Sequence, residues 1–262
     1  MKKILLPLLF LSTGICNAQN KEGKVIYERT MQMRRPQNMD PDMAARIPAS
    51  RTDNYELLFA NNQSLWRSLP KADGDNGSFG GGGRMFVMAG NDDIIYYNFT
   101  DGKRIDKKEL FDNQFIVLDS ISKLQWKLSD ETKTLLTHSV HKATAQRYSS
   151  RMQMTMENGQ MKREKMPDTS TIVAWYTTDF PVAVGPEAFQ GQLPGVVLEL
   201  NVNNGKLVYR AVEISPKVAV KEVKEPKGGK KLTPAEFEKE SDRLMEEMRK
   251  NMPQGSSIRI SN

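Results

Sequence analysis

The chain has 262 residues, of which 38% are hydrophobic, 27% charged and 8% aromatic, and its formal net charge is +6. That length can bury a sizeable core as one large domain or two small ones, and the composition excludes both a disordered chain and an integral membrane protein. A single cysteine, Cys16, excludes a disulfide-stapled domain.

The first residues read as an address. Lys2 and Lys3 form a basic n-region, Ile4 to Leu11 an apolar h-region, and Cys16-Asn17-Ala18 a small-residue cleavage site before Gln19. The apolar run is shorter than the roughly 20 residues a bilayer crossing needs. Residues 1–18 are therefore expected to be a signal peptide. Thr13 and Ile15 stand where a lipoprotein signal wants Leu and a small residue, so a soluble periplasmic product is expected rather than a lipid-anchored one. Cleavage removes two lysines and the only Cys, which leaves no thiol nucleophile and no thiolate metal site.

Strand signals dominate from there. Lys24 to Met33 alternates as a first strand. Tyr55 to Ala60 and Ser64 to Leu69 read as a hairpin about Asn61-Asn62. Ile94 to Phe99 is an apolar run closed by the turn Thr100-Asp101-Gly102-Lys103. Gln114 to Asp119 follows, then Ser122 to Leu128, where Leu124, Trp126 and Leu128 alternate with polar residues. Thr132 to Tyr148 and Ser170 to Asp179 continue the pattern. Val196 to Val202 and Leu207 to Ile214 flank Asn203-Asn204-Gly205, and Asn-Gly supplies the positive φ of a tight hairpin turn. Arg34 to Arg51 and Ser149 to Pro167 are polar, Met-rich and poorly periodic, and are expected to be long loops. Gly80-Gly81-Gly82-Gly83 lacks the Lys-Ser/Thr pair of a phosphate-binding loop and reads as a connection.

Short strands joined by turns, without alternating helices, predict a mainly β domain over 19–216. The expected form is an antiparallel, strongly curved sheet, at its extreme an open half-barrel, with a two-sheet β-sandwich as the alternative. Residues 217–232 hold six Lys against two Glu and read as a basic linker. Nothing aromatic is interleaved to stack on bases, so nucleic acid is not an expected partner. Thr233, Pro234 and Glu236 then make a helix start with a capping box. Phe237, Leu244, Met245 and Met248 form the apolar stripe of a C-terminal helix over 233–251, followed by a flexible tail, 252–262.

Residues with catalytic potential are sparse. The chain has no Gly-x-Ser-x-Gly elbow and no His-Glu-x-x-His pair, and its two histidines, His138 and His141, would point to opposite faces of a strand. Methionine is the exception, with 15 in the chain. Met152, Met154, Met156 and Met161 cluster in a polar segment, where soft thioethers suit Cu(I) and the competing reading, an apolar core face, is weakest. A Cu(I) site at these residues, with His138 or His141 nearby, is the metal expectation. Asp119-Ser120-Ile121 fits a short O-glycosylation pattern, with Ser120 as the acceptor.

Around residues 174–200 the order Ala174-Trp175-Tyr176-Thr177, Pro181, Gly185-Pro186, Phe189 and Gln192-Leu193-Pro194-Gly195-Val196-Val197 resembles the GLPGLI family of exported bacterial proteins, known chiefly from Bacteroidota. Trp126 with Asp130 to Lys133, and Lys142-Ala143, resembles its middle region. Gln192 departs from the signature's first Gly, and Val196-Val197 replace Leu-Ile. Physically, Leu193 can fill an apolar gap while Pro194-Gly195 turns the chain into the strand from Val196, and Gly185-Pro186 would bend it after the preceding strand. None of these side chains, nor Trp175, does acid–base or nucleophilic chemistry. The resemblance implies export and a non-catalytic binding or accessory role in the cell envelope, with outer-membrane transport or export proteins as partners. A periplasmic Cu(I)-binding protein is the alternative.

Overall fold

The computed structural model describes residues 21–33, 40, 42, 48–70, 93–157 and 160–251. The expected signal peptide, the Gly80–Gly83 connection, most of the expected loop from Arg34 and the tail from 252 lie outside the described residues. Twelve described strands form one open sheet: β1 (Gly23–Gln32), β2 (Ser50–Ala60), β3 (Gln63–Ser68), β4 (Ile94–Asn98), β5 (Lys103–Leu110), β6 (Asn113–Ser120), β7 (Lys127–Leu135), β8 (His138–Glu157), β9 (Gln160–Thr177), β10 (Val196–Val202), β11 (Leu207–Ser215) and β12 (Lys230–Leu232). A single C-terminal helix, α1 (Pro234–Asn251), follows. The strand order is β12-β6-β5-β4-β3-β2-β1-β11-β10-β9-β8-β7, antiparallel throughout except where β12 lies parallel to β6. One sheet, rather than two facing ones, disposes of the sandwich.

The curl follows from connectivity. β6 and β7 are ten strand spacings apart in this order, about 48 Å on a flat sheet. The chain joins Ser120 to Lys127, a span of about 25 Å at full stretch. The sheet must roll until its edges approach. Ser122 to Leu128, expected as a strand, is mostly this joining segment. Its alternation is real, since Leu124 and Trp126 pack on the core, but their neighbour is an irregular segment rather than a ladder.

Both faces of the roll carry apolar side chains. Leu57, Phe59, Trp66, Ile95 and Tyr97 face the principal core with Val25, Tyr27, Leu200 and Tyr209. Their neighbours in sequence, Leu58, Ala60, Leu65 and Tyr96, form a second cluster on the other face with Ile105 and Ile116. That cluster is covered by Val223 and flanked by Val218. The segment expected as a basic linker therefore differs from a solvated strand of chain. Its lysines stay exposed while Val223 packs down, Glu222 pairs with Arg67 at 2.5 Å, and β12 extends the sheet edge. Helix α1 docks through Phe237 and Leu244 on Leu110, Phe115 and Leu232. Its start carries the capping box, with the Thr233 backbone N–H donating to Glu236 Oε2 at 2.8 Å and the Glu236 N–H donating to Thr233 Oγ1 at 3.3 Å.

Two local expectations are corrected, and one strand was not expected. Ser149 to Pro167 is not a loop: Ser149–Glu157 and Gln160–Pro167 continue β8 and β9 in one antiparallel ladder. Thr132 to Tyr148 is broken by a turn at Leu136 and Thr137, whose φ values of 47° and 70° suit a tight hairpin although neither residue announces one. β5 was not anticipated, because its run of Lys and Arg hides Ile105, the residue that seats it.

Candidate functional site

Residues 178–195 leave β9, enter the roll and return as β10. Phe180, Val182, Val184, Phe189 and Leu193 are buried in the principal core. The segment is thus a plug, folded on itself by short backbone bonds: Val182 N–H to Phe180 O, Val184 N–H to Val182 O and Gly195 N–H to Leu193 O, each 2.8 Å. The Val197 N–H donates to Val184 O at 2.9 Å and ties the plug to β10.

The residues of the expected signature sit here. Leu193 is 3% exposed within the core. Pro194 is exposed, and Gly195 lies so close to β9 that a Cβ would stand 2.0 Å from Thr177 O. A Cβ on Gly185 would meet Phe189 O at 2.8 Å, and Pro186 O accepts the Phe189 N–H at 3.0 Å. Trp175 is half-buried and packs against the principal core, with Lys133 Nζ 4.3 Å from its ring centre. Lys133 also donates to Glu199 at 2.8 Å.

Gln192, where the resemblance expects Gly, closes the seam. Its Oε1 accepts from the Leu124 N–H at 3.2 Å and from Trp126 Nε1 at 2.9 Å, and its Nε2 donates to Ala188 O at 3.0 Å. One amide therefore binds the plug to the segment between β6 and β7.

A polar cluster surrounds the plug's turn. Glu187 holds a left-handed backbone, φ 49°, that a non-glycine residue adopts only when its surroundings fix it. They do: its carbonyl accepts from Tyr97 Oη and Gln190 Nε2 at 3.3 Å each, and its carboxylate accepts from Tyr209 Oη. Gln190 in turn accepts from Ser64 Oγ at 2.5 Å. On the adjacent wall, Asp53 accepts from Arg29 at 3.0 Å and Arg51 at 2.9 Å, and the Arg29 guanidinium lies 4.7 Å over the Tyr55 ring. Tyr55 stacks on Trp66 at 5.0 Å.

Electrostatics follow from this packing. Burial pushes the Tyr209 phenol up, and the Glu187 carboxylate raises it further. Burial alone would raise the Asp53 carboxyl, but hydrogen bonds from Arg51 and Arg29 outweigh it and hold the group below the usual carboxylate range. Two donors have no partner among the described residues, the buried Nε atoms of Arg29 and Arg147. Arg147 lies 5.7 Å from the Phe189 ring centre. Arg29 and Arg147 thus border the same turn of the plug from β1 and β8. Sequence reasoning missed this cluster; its one signal was the recurrence of Arg, Asp, Glu and Tyr within otherwise apolar strands.

The metal candidates do not form one group. His138 Nδ1 lies 2.7 Å from Asp179 Oδ2, and His141 packs beside Tyr176. Met152 follows His141 by eleven residues of the same strand, about 37 Å along it. The side chains of Met152, Met154, Met156 and Met161 are outside the described part of the structure. The backbone register sets Met156 opposite Met161, Met154 opposite Arg163 and Met152 opposite Lys165. Ser120 is exposed at the end of β6. Near it, Phe99, Ile121, Lys123, Pro181 and Val182 line a shallow cavity of about 410 Å³. Among the described residues, no helix is long and apolar enough to cross a membrane.

A family model described as "Protein of unknown function (Porph_ging)" matches residues 126–199, less than half of the chain. The matched stretch runs from Trp126 through the plug to Glu199, and it suggests a protein of the Bacteroidota type. No curated protein matches. Among solved structures, PNGF-II in a P21 crystal form matches with TM-score 0.50 and 17% identity, over 85% of this chain and 34% of that one. PNGF-II in a C2 form matches with TM-score 0.50 and 16% identity, over 83% and 32%. The chain spans about a third of the length of these structures, and at such identity the likeness is one of fold.

Proposed function

We propose that the protein is a non-catalytic binding or accessory protein of the cell envelope, of the GLPGLI type, acting beside an outer-membrane transport or export system. The observation that carries this reading is the cluster of Arg29, Asp53, Tyr55, Glu187 and Arg147 about the plug. Half-buried charges cost desolvation, and the two buried donors without acceptors among the described residues, Arg29 Nε and Arg147 Nε, cost about 1–3 kcal/mol each where they stay unpaired. Such groups contribute little to the core, and their free N–H groups suit the acceptor oxygens of a bound peptide or small ligand. The signature residues, by contrast, shape the plug. Crosslinking and capture from envelope extracts tests this: a membrane protein reproducibly enriched by the wild type should be lost with Arg147→Met at unchanged melting temperature. Equal enrichment by both proteins would count against the site. Export itself is tested by intact mass, which should correspond to a chain starting at Gln19 without acyl groups.

The Cu(I) reading is favoured by one observation, the register of Met156 against Met161. Residues so paired have Cβ atoms about 4.5–5.5 Å apart, within reach of one soft ion, with Met154 two positions along the same strand. His138 and His141 have no part in it, so affinity should stay flat between about pH 5 and 8, where imidazole would titrate. Competition against a chromophoric chelator decides it. Met152, Met154 and Met156 all changed to Leu should lose Cu(I), and retention equal to wild type would remove the site.

A further inference from the structure

The shallow cavity near Ser120 lies at the other end of the roll from the polar cluster. Asn62, in the turn between β2 and β3, forms part of its wall. Asp53 of the cluster and Ala60, beside that turn, are seven residues apart along β2, about 23 Å. The rest of the wall comes from the turn after β4, from the segment joining β6 to β7, and from the first half of the plug. At about 410 Å³ the cavity has the size of a small-molecule site.

Backbone hydrogen bonds fix these pieces of chain against one another. The Phe99 N–H donates to Asn62 O at 3.0 Å, the Ile121 N–H to Gly102 O at 3.1 Å, and the Gly191 N–H to Ala183 O at 2.7 Å. The Phe99 ring is stacked on Tyr97, with centroids 5.9 Å apart. Gly191, held at φ 72°, brings no side chain into the space between two of the walls. A Cβ there would stand 3.1 Å from Ile121 Cγ2 and 3.5 Å from Phe99 Cδ1.

The lining chemistry is one-sided. Phe99, Ile121, Pro181 and Val182 supply apolar surface, and Phe99 and Ile121 stay half-exposed. Lys123 is the one charged residue in the lining. It is exposed and has no ion-pair partner among the described residues. An apolar recess with a single ammonium at its rim is complementary to an apolar body that carries a single negative charge.

We propose that this cavity binds a small aromatic carboxylic acid, its ring against Phe99 and Ile121 and its carboxylate at the Lys123 ammonium. Both charges stay at the solvent-facing rim, so neither bears the desolvation cost of a buried ion. The site shares no residue with the polar cluster at the plug's turn, and the two readings fail separately.

Titration of the isotope-labelled protein with cinnamate, followed through its amide resonances, tests this. Saturable shifts are expected at Gly102, Ile121 and Gly191. Neutral cinnamamide on the wild type, and cinnamate on Lys123→Met, should each bind about fivefold more weakly, and Lys123→Glu should be weaker still. Ile121→Ser, which removes apolar wall, should lower affinity about tenfold. Melting temperatures show that each variant is folded, and the exposed Lys123 variants carry the test should Ile121→Ser lose stability. No saturation by about 5 mM cinnamate, shifts confined to the surroundings of Glu187 and Tyr209, or equal affinity for the acid and its amide would each overturn the proposal.

Discussion

Gly195→Ala isolates the contact on which the plug turns into β10. The residue pairs beside Val196 opposite Thr177, and its backbone is not left-handed, so any penalty is steric rather than conformational. A Cβ there would lie 2.0 Å from Thr177 O and 2.8 Å from Thr177 C. Both are backbone atoms of a paired strand, so no side chain can swing aside. Relief requires a shift of about 1 Å or more in β9 or the plug, and such overpacking costs about 1–3 kcal/mol, here toward the upper end. For a domain of this size that is about 6–12 °C in melting temperature. Gly102→Ala is the matched control: its φ is +64° and nothing lies within 4 Å of the new Cβ, so it suffers only left-handed strain of about 1 kcal/mol. Urea unfolding of both variants gives the answer. A Gly195→Ala midpoint equal to wild type, or a loss no larger than that of Gly102→Ala, would refute the close approach and with it the steric role of this glycine.

Gln192→Ala should destabilise by about 2–3 kcal/mol, because it orphans the Leu124 N–H and the Trp126 Nε1 donor; a red-shifted Trp126 emission would mark opening of the seam, and wild-type stability would refute it. Asp53 sits below its unfolded value of about 3.9, so its contribution is complete above that pH and disappears as pH falls through the lower folded value. Asp53→Asn should therefore flatten the acid limb of the stability–pH curve below about pH 4, and an unaltered limb would show that the Arg29 and Arg51 contacts do not hold in solution.

Turn chemistry made the central hairpins legible. Asn61 and Asn62, with φ of 51° and 60°, and Asn203 and Asn204, at 52° and 53°, sit where the sequence placed them. Other turns use residues without that signature, such as Phe111 and Asp112 at 50° and 62°, and β5 was lost with its turn. The two-stranded extension of β8 and β9 was missed for a different reason. β8 there alternates Met with Arg, Gln and Thr, and the facing part of β9 runs Met-Lys-Arg-Glu-Lys-Met, so neither shows large apolar residues alternating with polar ones. Asn158-Gly159, the dipeptide between β8 and β9, was the available signal. At the site, residue types could suggest that Leu193 and Gly195 shape a corner. They could not suggest that Gln192 reaches Trp126 across 66 positions, or that Tyr209 meets Glu187, since both contacts exist only once the sheet has rolled.

The roll itself explains why function should be sought where it is. Twelve strands that approach closure without achieving it leave a gap, and this chain fills the gap with a covalent plug rather than a further strand. The plug needs apolar side chains along the core, which Phe180, Val184 and Leu193 provide. It needs nothing like the left-handed Glu187, the Arg29–Asp53 pair or an Arg147 whose Nε has no acceptor among the described residues. An apolar mouth in their place would fold as well or better. The extension of β8 and β9 repeats the logic, since shortening both strands at Gln146 and Thr171 would leave every other strand pairing intact. Neither feature is needed by the curl, and on the proposed reading the polar groups at the plug serve contacts made outside the chain.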